Sequence, residues 1–439
     1  MPGGAAGTTA PVPDEPMTAA PAPAAASPPA KPAPLPNDQE ASGRSFGDAE
    51  LGFLKEALDS GCLTATKGAQ VKALQEEFAA MIGVKHAFAC TSGSAAMHCM
   101  VAALNLEPGD ELIGTPITDM GSVAAILAQG VVPVFADVDP LTLNVTAETI
   151  EARITDRTKA IAVTHLFGNP CDMEPILALG EKHGLPVLED AAQALGARYQ
   201  GKPAGSMGAM AAFSLQQGKH VTTGEGGLVV TDDDNLARRL FLFINKAWGY
   251  GDAKPDHYFL APNYRMSELQ GAVARAQFQK LPDLLDKRLH AACVLVGRLM
   301  KIDGITPPPV KPGDTCSYWR IPVRVEPGVV PGGVDALVAG LRELGIPAAP
   351  RYIQKPAFEC EVIRDQKTFG TSRWPFSLAQ ESATDYRREL FPGAYDGLKH
   401  VVILPLNEGF TEEHAERIAS AVEETVADLH AGDGKGGAA

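Results

Sequence analysis

Long apolar runs, paired cysteines and basic clusters are all missing from this chain of 439 residues. No stretch approaches the roughly 20 uninterrupted apolar residues that a membrane-spanning helix needs. The N-terminus carries neither the basic nor the apolar region that opens a secretory signal. A cytoplasmic, unprocessed protein with no membrane partner is therefore expected. The seven cysteines (Cys62, Cys90, Cys99, Cys171, Cys293, Cys316 and Cys360) are odd in number and scattered. They contain no C-x-x-C pair, which removes the common zinc and dithiol signatures and points to reduced thiols with no metal site. Acidic residues outnumber basic ones by 53 to 38, for a net charge of −15, and no Lys/Arg stripe is available to neutralise phosphates. Nucleic acid is not expected as a partner.

What remains is 45% apolar, enough for one large domain and a smaller one. Residues 1–45 are dominated by Ala, Pro, Gly, Ser and Thr, with 11 of the 35 prolines falling by residue 36, a composition that cannot build a packed core. They are expected to form a disordered tail, as is 431–439. Between the tails, short apolar runs alternate with helical-period segments: VVPVFADVD, TKAIAVTHLFG, MEPILALGEKHG, LPVLEDA. That alternation predicts an α/β domain with a mainly parallel sheet over 46–275. A long amphipathic helix from Met266 leads out of it. The strand-like SYWRIPVRVE, a helix stopped by Gly345 and the acid-rich start TEEHAERI then predict a smaller α+β domain, so that 276–430 holds the connecting helix and this domain.

Three clusters carry chemistry. In CTSGSAAMHCMVAAL a Thr-Ser-Gly-Ser run opens an Ala-rich helix, and unpaired amides at a helix N-terminus attract anions, although a capping serine gives the same pattern. In LPVLEDAAQALGA, Asp190 falls at the carboxyl end of a strand, where open parallel sheets bind ligands. A buried carboxylate there needs a cation such as a protonated pyridine nitrogen; an N-capping aspartate is the alternative. In MAAFSLQQGKHVTTGEGGLVV, Lys219 follows Ser214 by five residues and precedes Gly224, Gly226 and Gly227. A lysine withdrawn from water is a nucleophile and base, whereas a solvated lysine is neither.

Taken in order, these segments resemble the DegT/DnrJ/StrS family of sugar and cyclitol aminotransferases across about residues 48–428. TSGSAAM resembles the family's phosphate turn, EDAAQALGA its acidic segment and FSLQQGKHVTTGEGGLVVTDD its lysine segment. NYRMSELQGAVARAQFQKL and HLFGNPCDM are similar to two further family motifs. The resemblance implies a fold-type-I enzyme using pyridoxal 5'-phosphate, a homodimer with shared active sites. Lys219 would be the Schiff-base lysine and the proton carrier, and Asp190 the partner of the pyridine nitrogen. Gly93, Ser94 and Ser214 would contact the phosphate, Gln193 would lie near the phenolic oxygen and Ala192 against a ring face. Asn263, with Arg265, would reach the neighbouring subunit's site.

The implied reaction moves an amino group from L-glutamate or L-glutamine to a nucleotide-linked keto-sugar or a keto-cyclitol, in secondary-metabolite or cell-surface sugar synthesis. The QQGK segment most resembles the cyclitol and aromatic branch. One position departs from the family: where relatives carry P-x-x-T-[WF], with an aromatic over the ring, this chain reads Pro116-Ile117-Thr118-Asp119, leaving Met120 or another residue to cover it. Two rivals exist. A sugar dehydratase on this fold has histidine at the lysine position, and His220 stands one residue late for that. A non-catalytic regulatory protein would not need both Lys219 and Asp190. The segment 350–376, with Arg351 and Lys355, is a candidate acceptor lid or an ordinary loop.

Overall fold

The computed structural model describes residue 3 and residues 33–436. Thirteen strands are assigned there: β1 His86–Cys90, β2 Glu111–Gly114, β3 Val132–Phe135, β4 Thr158–Thr164, β5 Val187–Asp190, β6 Arg198–Tyr199, β7 Lys202–Pro203, β8 Met210–Ser214, β9 Gly227–Thr231, β10 Ile305–Thr306, β11 Ile321–Val325, β12 Ala349–Pro350 and β13 Val401–Leu404. Seven form one sheet in the order β1-β9-β8-β5-β4-β2-β3. The pairs within β8-β5-β4-β2-β3 are parallel, and only β9 runs against its neighbours. The predicted α/β class is thus observed. Strands β3, β5 and β9 are buried along their whole length, as expected for apolar runs covered on both faces.

Crossovers in a parallel sheet place every connecting loop at one of two edges, and the carboxyl edge collects the ligand-binding ones. Ser92 follows β1, Pro116–Asp119 follow β2, His165 follows β4, Asp190 ends β5 and Ser214 ends β8. The 32-residue helix Glu268–Leu299 then leads to a four-stranded antiparallel sheet, order β10-β11-β13-β12. A second core joins this sheet to the helices Gly333–Glu343 and Glu412–Gly436 through Val323, Leu337, Leu341, Val402, Ile418 and Val422. Among the described residues no helix is long and apolar enough to cross a membrane.

Both tail expectations need correction at their inner ends. Leu35 is buried in the second core, and Asp38, Gly43 and Arg44 are buried as well. The last helix continues through Ala431 to Gly436. Composition averaged over 1–45 hides this, because the few side chains that hold 35–45 in place find their partners hundreds of residues away. The rest of the two expected tails, residues 1–2, 4–32 and 437–439, lies outside the described residues. The segment 350–376 is packed in part: Ala357, Phe358, Ile363 and Phe376 are buried in the large core and the Ala357 amide donates to Pro116 O at 2.8 Å, while residues 369–373 are exposed.

Candidate active site

A cavity of about 380 Å³ opens at the carboxyl edge of the large sheet, lined by Gly93, Ser94, Asp190, Ala192, Gln193, Ser214 and Lys219 together with Asp119. Residues spread over more than a hundred positions therefore meet in one place because their loops share one sheet edge.

The helix Gly93–Ala103 supplies one end. Ser92 caps it, its hydroxyl accepting from Ala95 N, which leaves the first amides of the turn for a ligand. Two close approaches shape this end. A Cβ on Gly93 would lie 2.8 Å from Ser214 Cβ and 3.0 Å from its Oγ, and a Cβ on Gly121 would collide with the Ser94 hydroxyl. Only hydrogen at these positions lets two serine hydroxyls gather beside the helix start.

Along β5 successive side chains point to opposite faces, which separates the acidic pair. Glu189 is fully buried and accepts backbone N–H from Gly205, Met207 and Gly208 at 2.7, 2.8 and 2.6 Å and the His165 ring at 2.9 Å. Burial alone would push its carboxyl up; His165 and these donors hold it below the ordinary value. It is a structural anchor. Asp190 instead faces the cavity, receiving Ser122 Oγ at 2.7 Å and the Ala192 amide at 3.1 Å. The Thr164 hydroxyl lies 3.5 Å from the same carboxylate. All three donors are neutral, so among the described residues no cation hydrogen-bonds the Asp190 carboxylate, and it is placed to pair with a cationic group in the cavity.

Lys219 sits opposite. Withdrawal from water brings its amine down to about 8, with Asp190 and Asp119 opposing that shift and Arg320 adding to it. Its Nζ lies 4.5 Å from the centroid of the Trp319 ring. At pH 7 an amine at about 8 is unprotonated for about a tenth of the time, several hundredfold more than a solvated lysine, and in that form it can attack a carbonyl. His220, one residue on, turns away: it is buried against Ser317 O at 3.1 Å, and burial holds it well below the ordinary histidine range. It is not among the cavity-lining residues.

Gln193 is committed on both sides, accepting the Phe167 amide and donating to the Tyr352 hydroxyl, each at 2.9 Å. Trp319 and Tyr352 are the aromatic residues of the cavity wall, in edge contact at 5.9 Å, and the sequence reading singled out neither. Their signal was present only as a strand-like SYWR and as a lid candidate. Tyr352 is the one residue of 350–376 in the lining. Asp119 is exposed, lines the cavity and caps the helix Met120–Ala128 by accepting Gly121 N at 2.8 Å. Met120 packs against the large core and is not in the lining. Asn263 is exposed, accepts Arg265 N at 3.2 Å and does not line the cavity.

Comparison with known proteins agrees with this geometry. GDP-perosamine synthase of Caulobacter vibrioides is 33% identical over 395 residues, spanning 89% of this chain and 99% of that protein. The spore coat polysaccharide biosynthesis protein SpsC of Bacillus subtilis is 32% identical over 394 residues, spanning 87% and 95%. The crystal structure of an aminotransferase from Psychrobacter cryohalolentis matches with a TM-score of 0.79 at 30% identity, covering 88% of this chain and 99% of that one. The model of the DegT/DnrJ/EryC1/StrS aminotransferase family matches residues 45–423, taking in every residue that lines the cavity, and this chain is an aminotransferase belonging to that family.

Proposed function

We propose that this aminotransferase works with pyridoxal 5'-phosphate and moves an amino group from L-glutamate or L-glutamine to a keto-sugar carried on a nucleotide. The observation that carries the reading is the pairing, in one cavity, of a lysine amine lowered to about 8 with a buried carboxylate served only by neutral donors. The cavity residues fit the cofactor: Gly93, Ser94 and Ser214 would hold its phosphate, Asp190 would keep the ring nitrogen protonated, and Ala192 would lie against one ring face. The second N–H of the Gln193 amide would serve the phenolic oxygen. Bound there, the cofactor supplies the electron sink that makes the α-proton of the donor labile. Lys219 would carry that proton between the two carbon atoms that exchange it, as base and then as acid. Trp319 and Tyr352 would limit water at the reacting face.

The likeness to a GDP-perosamine synthase supports the nucleotide-linked acceptor class; a keto-cyclitol is the other class to test. A homodimer in which Asn263 and Arg265 complete the neighbour's site, and a cytoplasmic location, belong to the same reading. The dehydratase alternative loses support from His220, which faces Ser317, and a non-catalytic role from the lowered Lys219 amine.

The test is direct. Purified protein should absorb in the near-visible, and borohydride should bleach it and leave the cofactor attached to the peptide holding Lys219. Attachment at another lysine, or a colourless protein that takes up no cofactor, overturns the reading. The pyridoxamine form should then aminate nucleotide-linked keto-sugars in preference to keto-cyclitols.

A further inference from the structure

The lysine turn is held from behind by a segment that composition assigns to a tail. Three consecutive carbonyls of the turn each receive a side-chain donor from elsewhere in the chain: Gln217 O from Arg44 Nη2, Gly218 O from Trp319 Nε1 at 2.6 Å, and Lys219 O from Arg44 Nη1 at 2.9 Å. Arg44 is itself fixed. Its Nε donates to Asp38 O at 2.9 Å, and its guanidinium pairs with Glu408 at 3.1 Å, both side chains being 2% exposed. Asp38 is tied in turn, its carbonyl accepting Gln217 Nε2 at 2.8 Å and its carboxylate pairing with Arg320. The fit is close on both sides: a Cβ on Gly43 would lie 2.5 Å from Asn37 C, and one on Gly409 2.5 Å from Ser42 O.

We propose that residues 35–44 are a strap belonging to the active site, in which Arg44 is a positioning residue that fixes the backbone of Lys219. A buried ion pair by itself is weak evidence of purpose, since an apolar pair of similar size often serves stability as well. The distinguishing feature is where the fork spends its donors. Two of them go to the carbonyl of the reactive lysine and to that of Gln217, two residues before it. Arginine suits this task because its planar fork reaches two acceptors at a fixed separation, which a lysine ammonium cannot reproduce. Buried carbonyls need partners, so losing Arg44 frees two acceptors and lets the turn move toward other donors. A displacement of about 1 Å at a reacting group costs on the order of a hundredfold in rate.

The inference rests on Lys219 being the reactive lysine, and the experiment separates the two. Full-length Arg44→Lys and the charge-balanced double variant Arg44→Gln/Glu408→Gln are compared with wild type in two measurements. In the cofactor-free protein, the pH midpoint for acylation of Lys219, read by peptide mass spectrometry, should rise from about 8 toward the 10.5 of a solvated lysine as the turn loosens. With cofactor bound, the single-turnover rate with amino donor should fall on the order of a hundredfold while donor KM changes less than cofactor-free reactivity does. Guanidinium ion added to Arg44→Ala should restore part of the lost rate. A folded Arg44→Lys or double variant with wild-type midpoint and wild-type single-turnover rate overturns the strap. Wild-type protein in which borohydride traps no cofactor at Lys219 overturns the functional reading instead, and the acylation midpoint still decides the strap.

Discussion

The two walls of the cavity are built by different physics. On one wall the helix start at Gly93, Asp190 at the end of β5 and Ser214 at the end of β8 each sit at a strand-to-loop junction, placed by local chain geometry on a sheet edge. On the other, Trp319 stands beside Lys219 and Tyr352 lines the same cavity because the Trp319–Gly218, Ser317–Gly168 and Gln193–Tyr352 hydrogen bonds join remote segments. The first wall carries the Asp190 carboxylate, the serine hydroxyls and the helix-start amides, the groups that the proposed reaction would use. The second supplies the aromatic surface and the rigidity. In the proposed reaction the chemistry would thus rest on short local motifs and its geometry on long-range contacts.

The comparison is broken most completely at the residue that both walls serve. Lys219→Ala should abolish turnover, by at least roughly a thousandfold, since covalent and acid-base roles are both lost. Melting temperature should barely move, because the turn is held through backbone carbonyls and not through the lysine side chain. Steady-state transamination near the wild-type rate would refute it.

On the local wall, Asp190→Asn should slow α-proton removal more than it lowers cofactor content, because the phosphate contacts remain. In the cofactor-free protein the Lys219 midpoint should fall below about 8, since Asp190 is the largest of the charges opposing the downward shift. The sign is set by the group: removing a nearby anion destabilises the ammonium form of a lysine, so the amine deprotonates at lower pH. Unchanged single-turnover kinetics would make Asp190 only a structural residue.

Asp119 lies on the boundary between the walls. Asp119→Trp should bind cofactor more tightly, by about 0.5–1.5 kcal/mol if the ring stacks, and should lower the Lys219 midpoint by removing a second anion. It should also cost about 1 kcal/mol of stability, because the carboxylate caps the helix that begins at Met120. Cofactor titration, the pH profile and a melting curve decide these separately; no change in the first two would mean that position 119 does not face the cofactor.

The smallest effect belongs to the N-terminus. Removing residues 2–32 should alter neither melting temperature nor activity, since apart from alanines that Ala/Pro stretch has only Val12 and Met17 to bury. Removing 2–40 should lower both, because it takes Leu35 from the second core and Asp38 from Arg320. Equal behaviour of the two truncations would remove the strap from the site.

The parallel sheet was legible because its strands are continuous apolar runs; Asp190 and Lys219 were marked by a strand end and a Gly-rich turn, but their roles, and Ser214 as a phosphate contact, came from the resemblance of whole segments to the family. Gly93 and Ser94 came from the resemblance of TSGSAAM to the family's phosphate turn, since small residues at a helix start mark a capping serine as readily as an anion site. Trp319, Tyr352 and Arg44 were not legible. An aromatic or arginine in a strand-like, loop-like or Ala/Pro-rich context carries no local mark of the partner it will meet. Asp119 was singled out only as a departure, and its role as a helix cap lies in the Gly121 amide two residues away.

What the sequence determined by itself is therefore the periodicity and the placement of Asp190 at a strand end and Lys219 before a Gly-rich turn, all of which depend on neighbours within a few residues. The tertiary structure alone decided that the lysine amine would lie near 8, that its carbonyl would be gripped by Arg44 from 175 positions upstream and that the ring of Trp319 would stand beside it. Those outcomes follow from desolvation and from the exact distance between donors and acceptors, which exist only once the remote segments have packed together.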